Sequence, residues 1–452
     1  MNTLQRESTR SPILRAAIAV LIAGAVVRLI AMAKEITIAG VFGLGDAMDA
    51  FAAASLLPAL LINLIAESMN QALLPTMARV REHQGDEAAQ QLLSSAQLWL
   101  MGLLCVASLA MAAVARKIIP LLTTHFCAQK QELAVHLFWG LLPCVALSGI
   151  AANCASVLNL RGRFLLPALA PALAPLAILL AALTTGKSMG VWALVWGTVA
   201  GTLLQAALTA TMMQRHGFRF QLRWFTATEA TREVIHQYGP ILLSSVVASG
   251  GLIADQTMAA MLAPGSLATL VYAGRFPAVA MALLGGAVAT ALTPFLSRQV
   301  ARQEWTLCRH TLRHWMFLTA AVSVPVCLLF VCGAHSLVRI TLQHGVFRSA
   351  DTATVAPVLA MYALQIPFYA VSRVFYRFLL AMRRSDLIFQ CGAINLALDI
   401  LLNLLLMRTM GVAGIALSTS LWTLGTFFFL GWWTRRLLLE KLRHEIRANL
   451  TP

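Results

Sequence analysis

Apolar runs long enough to cross a lipid bilayer recur from one end of this chain to the other, and no other feature restricts its fold so strongly. About 20 apolar residues in a helix span the ~30 Å hydrocarbon core. Twelve such runs lie between charged breaks, near residues 12–33, 48–77, 91–115, 132–158, 164–184, 190–213, 234–262, 267–296, 313–338, 353–380, 387–407 and 412–434. In lipid every backbone N–H and C=O must be satisfied within the protein, and runs of this length do so as helices. The expected fold is therefore an all-α polytopic membrane protein of about 12 transmembrane helices. Several runs exceed the minimum length, so tilt or breaks are expected. Pro58 and Pro277 should interrupt the second and eighth spans, leaving carbonyls for neighbouring helices or water to satisfy. Composition agrees: 12% of residues are charged, where a soluble domain carries about 25%. Arg6, Arg10 and Arg15 give the first run the look of a signal peptide. No A-x-A-like cleavage site leads from it into a soluble domain and further apolar runs follow at once, so it is read as a span.

The formal charge of +16 points to nucleic acid only if its location is ignored. The basic residues concentrate in short loops, which is the signature of topology, and no nucleic-acid partner is expected. The amino end, the even-numbered loops and the carboxyl end hold most of them, including Arg79, Arg81, Arg161, Arg163, Arg215, Arg219, Arg223, Arg298, Arg302, Arg383 and Arg384. Both termini are accordingly expected in the cytoplasm, with the chain multi-pass in a bacterial inner membrane. The eight cysteines form no C-x-x-C pair and sit mostly inside apolar runs, so they read as small core residues.

The chain also repeats itself. Pro58, Pro75 and Arg79 stand at the same mutual spacings as Pro277, Pro294 and Arg298, an offset of about 219. His125 and Phe126 find a looser echo in His344 and Phe347, and Gly190-Val191 opens the sixth span as Gly411-Val412 opens the twelfth. An offset near half the chain length implies two six-helix repeats, expected at residues 1–225 and 226–452. Six helices preserve orientation, so the repeats should be parallel, around a central cavity that holds substrate.

Charge inside a span costs about 3 kcal/mol on insertion scales and is expected to face the bundle interior or a wet cavity. The basic candidates are Arg28, Arg275 and Arg373; the acidic ones, in or beside spans, are Glu35, Asp49, Glu67, Asp255 and Asp399. Arg28 and Arg275 fall in opposite halves, and paired guanidinium groups suit a phosphate or diphosphate gripped bidentately. Arg373 either joins them or snorkels to the cytoplasmic face. Asn395 and Asp399 are four apart, hence on one helix face. With Asp255, and with oxygens from Ser418 and Thr419, they form a candidate site for Na⁺ or a proton. An interhelical hydrogen-bond knot is the structural alternative, and Asn403 reads as such glue. The chain carries no P-loop, zincin helix or Gly-x-Ser-x-Gly, so it reads as a transporter with no enzymatic cofactor, driven by an ion gradient, the membrane potential or the substrate's own gradient.

Arg28, Lys34-Glu35, Ala39, Phe42-Gly43, Gly45, Asp49-Ala50-Phe51, Pro58, Ala66-Glu67, Ala72 and Pro75 together resemble the amino-terminal signature of the MurJ/MviN family, within the multidrug/oligosaccharidyl-lipid/polysaccharide exporter superfamily. Pro264-Gly265-Ser266, Tyr272-Ala273-x-Arg275 and Leu292-x-Pro294 continue the likeness. The resemblance implies a flippase moving the peptidoglycan precursor lipid II between leaflets. It implies that Arg28, Lys34 and Arg275 line a cationic cavity for the diphosphate, with Glu35 and Asp49 completing the candidate substrate set, and that Asp255, Asn395 and Asp399 correspond to a monovalent-cation site. Lipid-linked glycan and membrane lipid are the implied partners, with envelope-synthesis enzymes as possible neighbours. The chain departs from the pattern at Ile62-Asn63, where the family often has arginine, at Ala278, near where it has an acidic residue, and in having twelve spans where fourteen are common. An exopolysaccharide or O-antigen flippase, an ion-coupled drug exporter and a non-transporting scaffold for envelope synthesis are the competing readings.

Overall fold

The computed structural model describes residues 4–219 and 229–450, and among these every regular element is helical. α1 (Leu4–Phe42) covers the first predicted span. α2 (Asp46–Leu61), a π-helical turn at Ile62–Glu67 and α3 (Ser68–Leu122) run on as one rod. Gly85 breaks that rod with φ +89°, which divides it into the second and third spans. α4 (Ala128–Leu160) follows, then α5 (Leu165–Leu169), a 3-10 turn at Ala170–Ala172, α6 (Leu173–Met189) and α7 (Trp192–Arg215). The remaining helices are α8 (Glu229–Ala260), α9 (Ser266–Ala301), α10 (Trp305–Cys332), α11 (Ala334–Leu342), α12 (Ser349–Ala363), α13 (Gln365–Ala381), α14 (Ser385–Met410) and α15 (Val412–Leu450). Ten stretches of the described residues are long and apolar enough to cross a membrane. With the longest divided at Gly85 and α1 added, they supply the twelve expected spans.

The two prolines expected to interrupt spans behave differently. Pro58 lies within α2, where its missing N–H frees the carbonyl of Ala54 one turn earlier, and a π turn begins four residues after it. Pro277 lies inside an unbroken α9, because a single lost hydrogen bond can be absorbed by bending without ending a helix.

Contacts group the helices into two compact units, one made of Met1–Ala268 with His344–Phe347, the other of Thr269–Gln343 with Arg348–Pro452. The boundary expected between residues 225 and 226 falls in 220–228, outside the described residues. In the first unit α8 packs on α3, and α4 packs on α2, α3 and α7. Its core gathers Leu73, Met77, Leu93, Leu100 and Leu104 against Val145 and Val157. A short loop, 344–347, belongs to it: the Val346 N–H donates to the Gly40 carbonyl at 2.9 Å. In the second unit α15 packs on α12, α13 and α14, around Leu292, Leu296, Val374, Phe378 and Leu379. Large apolar side chains also point outward, Phe317 at 75% exposure and Leu329 at 70%, as bilayer-facing surfaces require.

The repeat shows in backbone detail. Gly190 and Gly411 end their helices at φ +58°, with ψ −143° and −133°. Gly162 and Arg383, an offset of 221, occupy the same left-handed turn at φ +72° and +58°.

Candidate functional site

Arg28 sits mid-helix in α1, half-buried, and its Nη1 donates to the Gly24 carbonyl one turn earlier at 3.0 Å. Among the described residues it makes no ion pair. A guanidinium carries five N–H donors, so a single neutral carbonyl leaves most of the fork unused. Two turns along, Lys34 and Glu35 pair with each other at 2.8 Å, with Glu35 buried. The α1 candidates thus divide into a guanidinium balanced by no carboxylate and an ammonium already partnered.

Asp49 has a different setting. It is 1% exposed in the first turns of α2. Its Oδ2 accepts from Lys130 Nζ at 2.7 Å and from the Gly265 N–H at 2.6 Å, and its Oδ1 accepts from the Ala268 N–H at 2.8 Å. The carboxylate therefore caps the first turn of α9 while balancing a buried ammonium. Lys130, 5% exposed, also reaches Asp46 at 2.7 Å and lies 3.9 Å from the Phe126 ring centroid. Sequence reasoning missed Lys130. It stands just before the fourth span, and nothing local marks it as buried.

Arg275 lies on α9 in the second unit, exposed, one turn after the fully buried Tyr272. Arg373 neither stands alone nor extends to the helix end. Its Nη2 donates to the Tyr369 hydroxyl at 2.7 Å, and its guanidinium lies over the Tyr369 and Tyr376 rings at 4.5 and 5.6 Å. Tyr369, Arg373 and Tyr376 follow the i, i+4, i+7 spacing of one helix face, a signal present in the sequence. Gly285 of α9 permits the approach, since a Cβ there would stand 3.3 Å from the Tyr369 hydroxyl.

The acidic candidates are distributed over both units. Asp255 is buried in α8 of the first. In the second, Asp399 is 1% exposed and its Oδ1 accepts from Ser418 Oγ at 3.2 Å and from Asn403 Nδ2 at 3.3 Å. Asn395, one turn earlier, donates to Thr426 Oγ1 at 2.8 Å. Thr419 turns to the Ile415 carbonyl. The seam of α14 and α15 is thus held by hydrogen bonds at two levels, and Asn403 joins Asp399 directly. Its donor set of carboxylate, amide and hydroxyl oxygens is the hard type that alkali cations take. Among the described residues no group of three or more His, Cys, Asp or Glu could hold a metal ion.

Outside the spans, the kink at Gly85 within α3 is clamped by charge. Burial pushes the Asp86 carboxyl up, but hydrogen bonds from Arg81 (2.9 Å) and Arg161 (2.8 Å), with their charges, hold it below its ordinary 3.8.

Residues 38–451 match the family model described as lipid II flippase MurJ. A probable lipid II flippase MurJ of Synechocystis sp. is 24% identical over 413 residues, covering 88% of this chain and 77% of its relative. One from Rhizobium meliloti is 24% identical over 400 residues, covering 86% and 74%. Among solved structures, a lipid II flippase MurJ in an inward closed conformation superposes with a TM-score of 0.79 at 21% identity, covering 96% of this chain and 93% of that one. An inward-facing multidrug resistance MATE family transporter of the MOP superfamily gives 0.78 at 12% identity, covering 94% and 99%. At these identities the superpositions establish a shared fold.

Proposed function

Since this chain belongs to the lipid II flippase MurJ family, we propose that it translocates a polyprenyl-diphosphate-linked glycan, the peptidoglycan precursor lipid II, across the membrane by alternating access. The observation that carries this reading is Arg28: a guanidinium within a span, half-buried, with one neutral carbonyl partner and no carboxylate among the described residues. The insertion penalty of such a charge is offset when an anion binds it, and a diphosphate offers oxygens in the geometry a guanidinium fork accepts. Lys34 and Arg275 are the further candidate groups for that anion. A drug exporter for cationic compounds would place carboxylates where Arg28 stands. Both termini are assigned to the cytoplasm by the loop distribution of Lys and Arg, and membrane-bound enzymes of envelope synthesis are the expected neighbours.

Asp399, with Ser418 and Asn403 around it, is the proposed point at which Na⁺ or a proton is coupled to transport. Asp399→Asn removes the negative charge while retaining a hydrogen-bonding side chain. It should therefore abolish any Na⁺ or pH dependence of transport. Unchanged dependence would remove the assignment.

The direct test is rescue of a strain depleted of its own lipid II flippase. The wild-type chain is expected to restore growth, and Arg28→Ala to fail at equal membrane abundance. Failure of well-expressed wild-type protein would exclude lipid II and leave another polyprenyl-diphosphate glycan as the substrate.

A further inference from the structure

A cavity of about 650 Å³ opens in the first unit at the loop between α4 and α5. Its origin is a proline ladder. Pro167, Pro171 and Pro175 recur every four residues; Pro167 falls in the first turn of α5, where an N–H is unpaired in any case, and Pro171 and Pro175 remove the N–H groups that would continue the ladder. α5 consequently ends after five residues, passes through the 3-10 turn and resumes as α6. Further along, α6 and α7 are packed backbone to backbone. A Cβ on Gly201 would stand 2.5 Å from Ala174 Cα, and one on Gly197 2.8 Å from Ile178 Cα. The tight seam and the broken entrance leave a space walled by Leu165, Leu169, Leu173, Leu208 and Met212, with α1 contributing Ala19.

The loop end of this cavity is basic. Arg163 and His216 line it, and no acidic residue does. The nearby carboxylate, Asp86, is committed to Arg81 and Arg161. Among the described residues the Arg163 guanidinium makes no ion pair or hydrogen bond. His216 Nδ1 lies 2.8 Å from the Met212 carbonyl, which can only accept, so Nδ1 carries the proton and Nε2 of the neutral ring is an acceptor; the donor that an anion meets here is Arg163. In the second repeat the corresponding helix, α14, has no proline and runs unbroken for 26 residues. The cavity is therefore not required by the repeat fold.

We propose that this cavity is a binding site for an anionic bilayer phospholipid, with an acyl chain among the leucines and the phosphate on the Arg163 guanidinium. A volume of this size falls within the roughly 300–1,000 Å³ of ligand pockets. Lipid tails are as apolar as leucine, so the walls alone give no preference over bulk bilayer. Selection rests on the headgroup. The site is separate from Arg28 and from the α14–α15 seam, and its test does not depend on what the protein transports.

Native mass spectrometry of the detergent-purified full chain tests the assignment, with phosphatidylglycerol and phosphatidylcholine of identical acyl chains offered at equal concentration. Retention of phosphatidylglycerol should exceed that of phosphatidylcholine by about five-fold, the discrimination one surface basic residue provides. Arg163→Gln should remove the preference and Arg163→Lys should keep it. Leu208→Trp, which fills the cavity, should remove it as well, while Arg215→Gln, a basic residue outside the lining, should leave it intact. Equal retention of both lipids by the wild type would overturn the proposal, as would a preference that survives Arg163→Gln or is lost equally in Arg215→Gln. Displacement of phosphatidylglycerol by equimolar undecaprenyl diphosphate would assign the cavity to an isoprenoid tail, and the bilayer-lipid assignment would fall.

Discussion

Lys130 holds two carboxylates at the same distance in very different surroundings, which makes it a controlled test of what burial does to an ion pair. Its Nζ is 2.7 Å from both Asp46 and Asp49, but the Asp46 side chain is 63% exposed and that of Asp49 is 1%. At an effective dielectric of about 20 the gross attraction of one such pair is about 6 kcal/mol. For Asp46 water screens most of it, and Asp46→Asn should cost no more than about 1 kcal/mol. For Asp49 there is no water to take over. Asp49→Asn leaves a buried ammonium short of charge, and it also turns an amide nitrogen toward a donor, either Lys130 or one of the two α9 N–H groups. Breaking a buried pair by removing one partner costs about 3–5 kcal/mol, and Asp49→Asn and Lys130→Met should both fall there. The double variant Lys130→Met/Asp49→Asn should cost clearly less than the sum, because neither charge is then stranded. Unfolding by SDS titration in mixed micelles, followed by tryptophan fluorescence, measures all four. Equal costs for Asp46→Asn and Asp49→Asn, or strictly additive costs in the double variant, would refute the reasoning.

The close seam of α6 and α7 predicts that Gly201→Leu lowers stability by about 1–3 kcal/mol through overpacking, whereas Gly102→Leu, where a Cβ would meet nothing within 4 Å, should be near neutral in the same titration. Gly345 is at φ +63°, and a Cβ there would run into the Gly40 carbonyl oxygen, so Gly345→Ala should cost about 1–3 kcal/mol and expose loop 344–347 to protease. Because the Asp86 carboxyl is held below its ordinary 3.8 in the folded protein, its contribution is present at neutral pH and lost as pH falls below 3.8 through the folded value. Asp86→Asn should therefore cost up to ~1 kcal/mol at pH 7, as for a largely exposed pair, read as a slightly lower melting temperature, and the gap to wild type should close in acid.

Hydropathy made the twelve spans readable because the bilayer imposes one length and one composition on every crossing. Gly85 was readable as a break for a related reason, since it lies in a polar stretch between two apolar runs. The pairing of charges was a different matter. Lys130 and Asp49 are 81 residues apart in sequence, and no periodicity connects them; only the fold does. The Tyr369–Arg373–Tyr376 face is written at helical spacing and was legible in principle, but a lone arginine near a span end also reads as snorkelling, and the tyrosines decide the matter. Asn395 and Asp399 share a face, as their spacing requires, but bind different residues of α15, Thr426 and Ser418. A shared face fixes direction and does not fix partners.

Those partners decide which intramembrane charge points to an external ligand. A charge in a span is usually taken as functional because it is expensive, yet Asp49 is fully accounted for by Lys130 and two backbone N–H groups. Its cost is met within the chain, and its role is to hold α2, α4 and the first turn of α9 together. Lys34 is likewise balanced by Glu35. Arg28 differs in kind, because its one bond is to a neutral carbonyl of its own helix, and a carbonyl compensates a hydrogen-bond donor without compensating a charge. Arg28→Gln, which keeps a donor and removes the charge, should therefore fold as well as wild type and still fail to rescue a flippase-depleted strain. Asp49→Asn should lose rescue only in proportion to the folded protein it loses. A folded, abundant Arg28→Gln that restores growth would mean the guanidinium charge is not what the substrate meets.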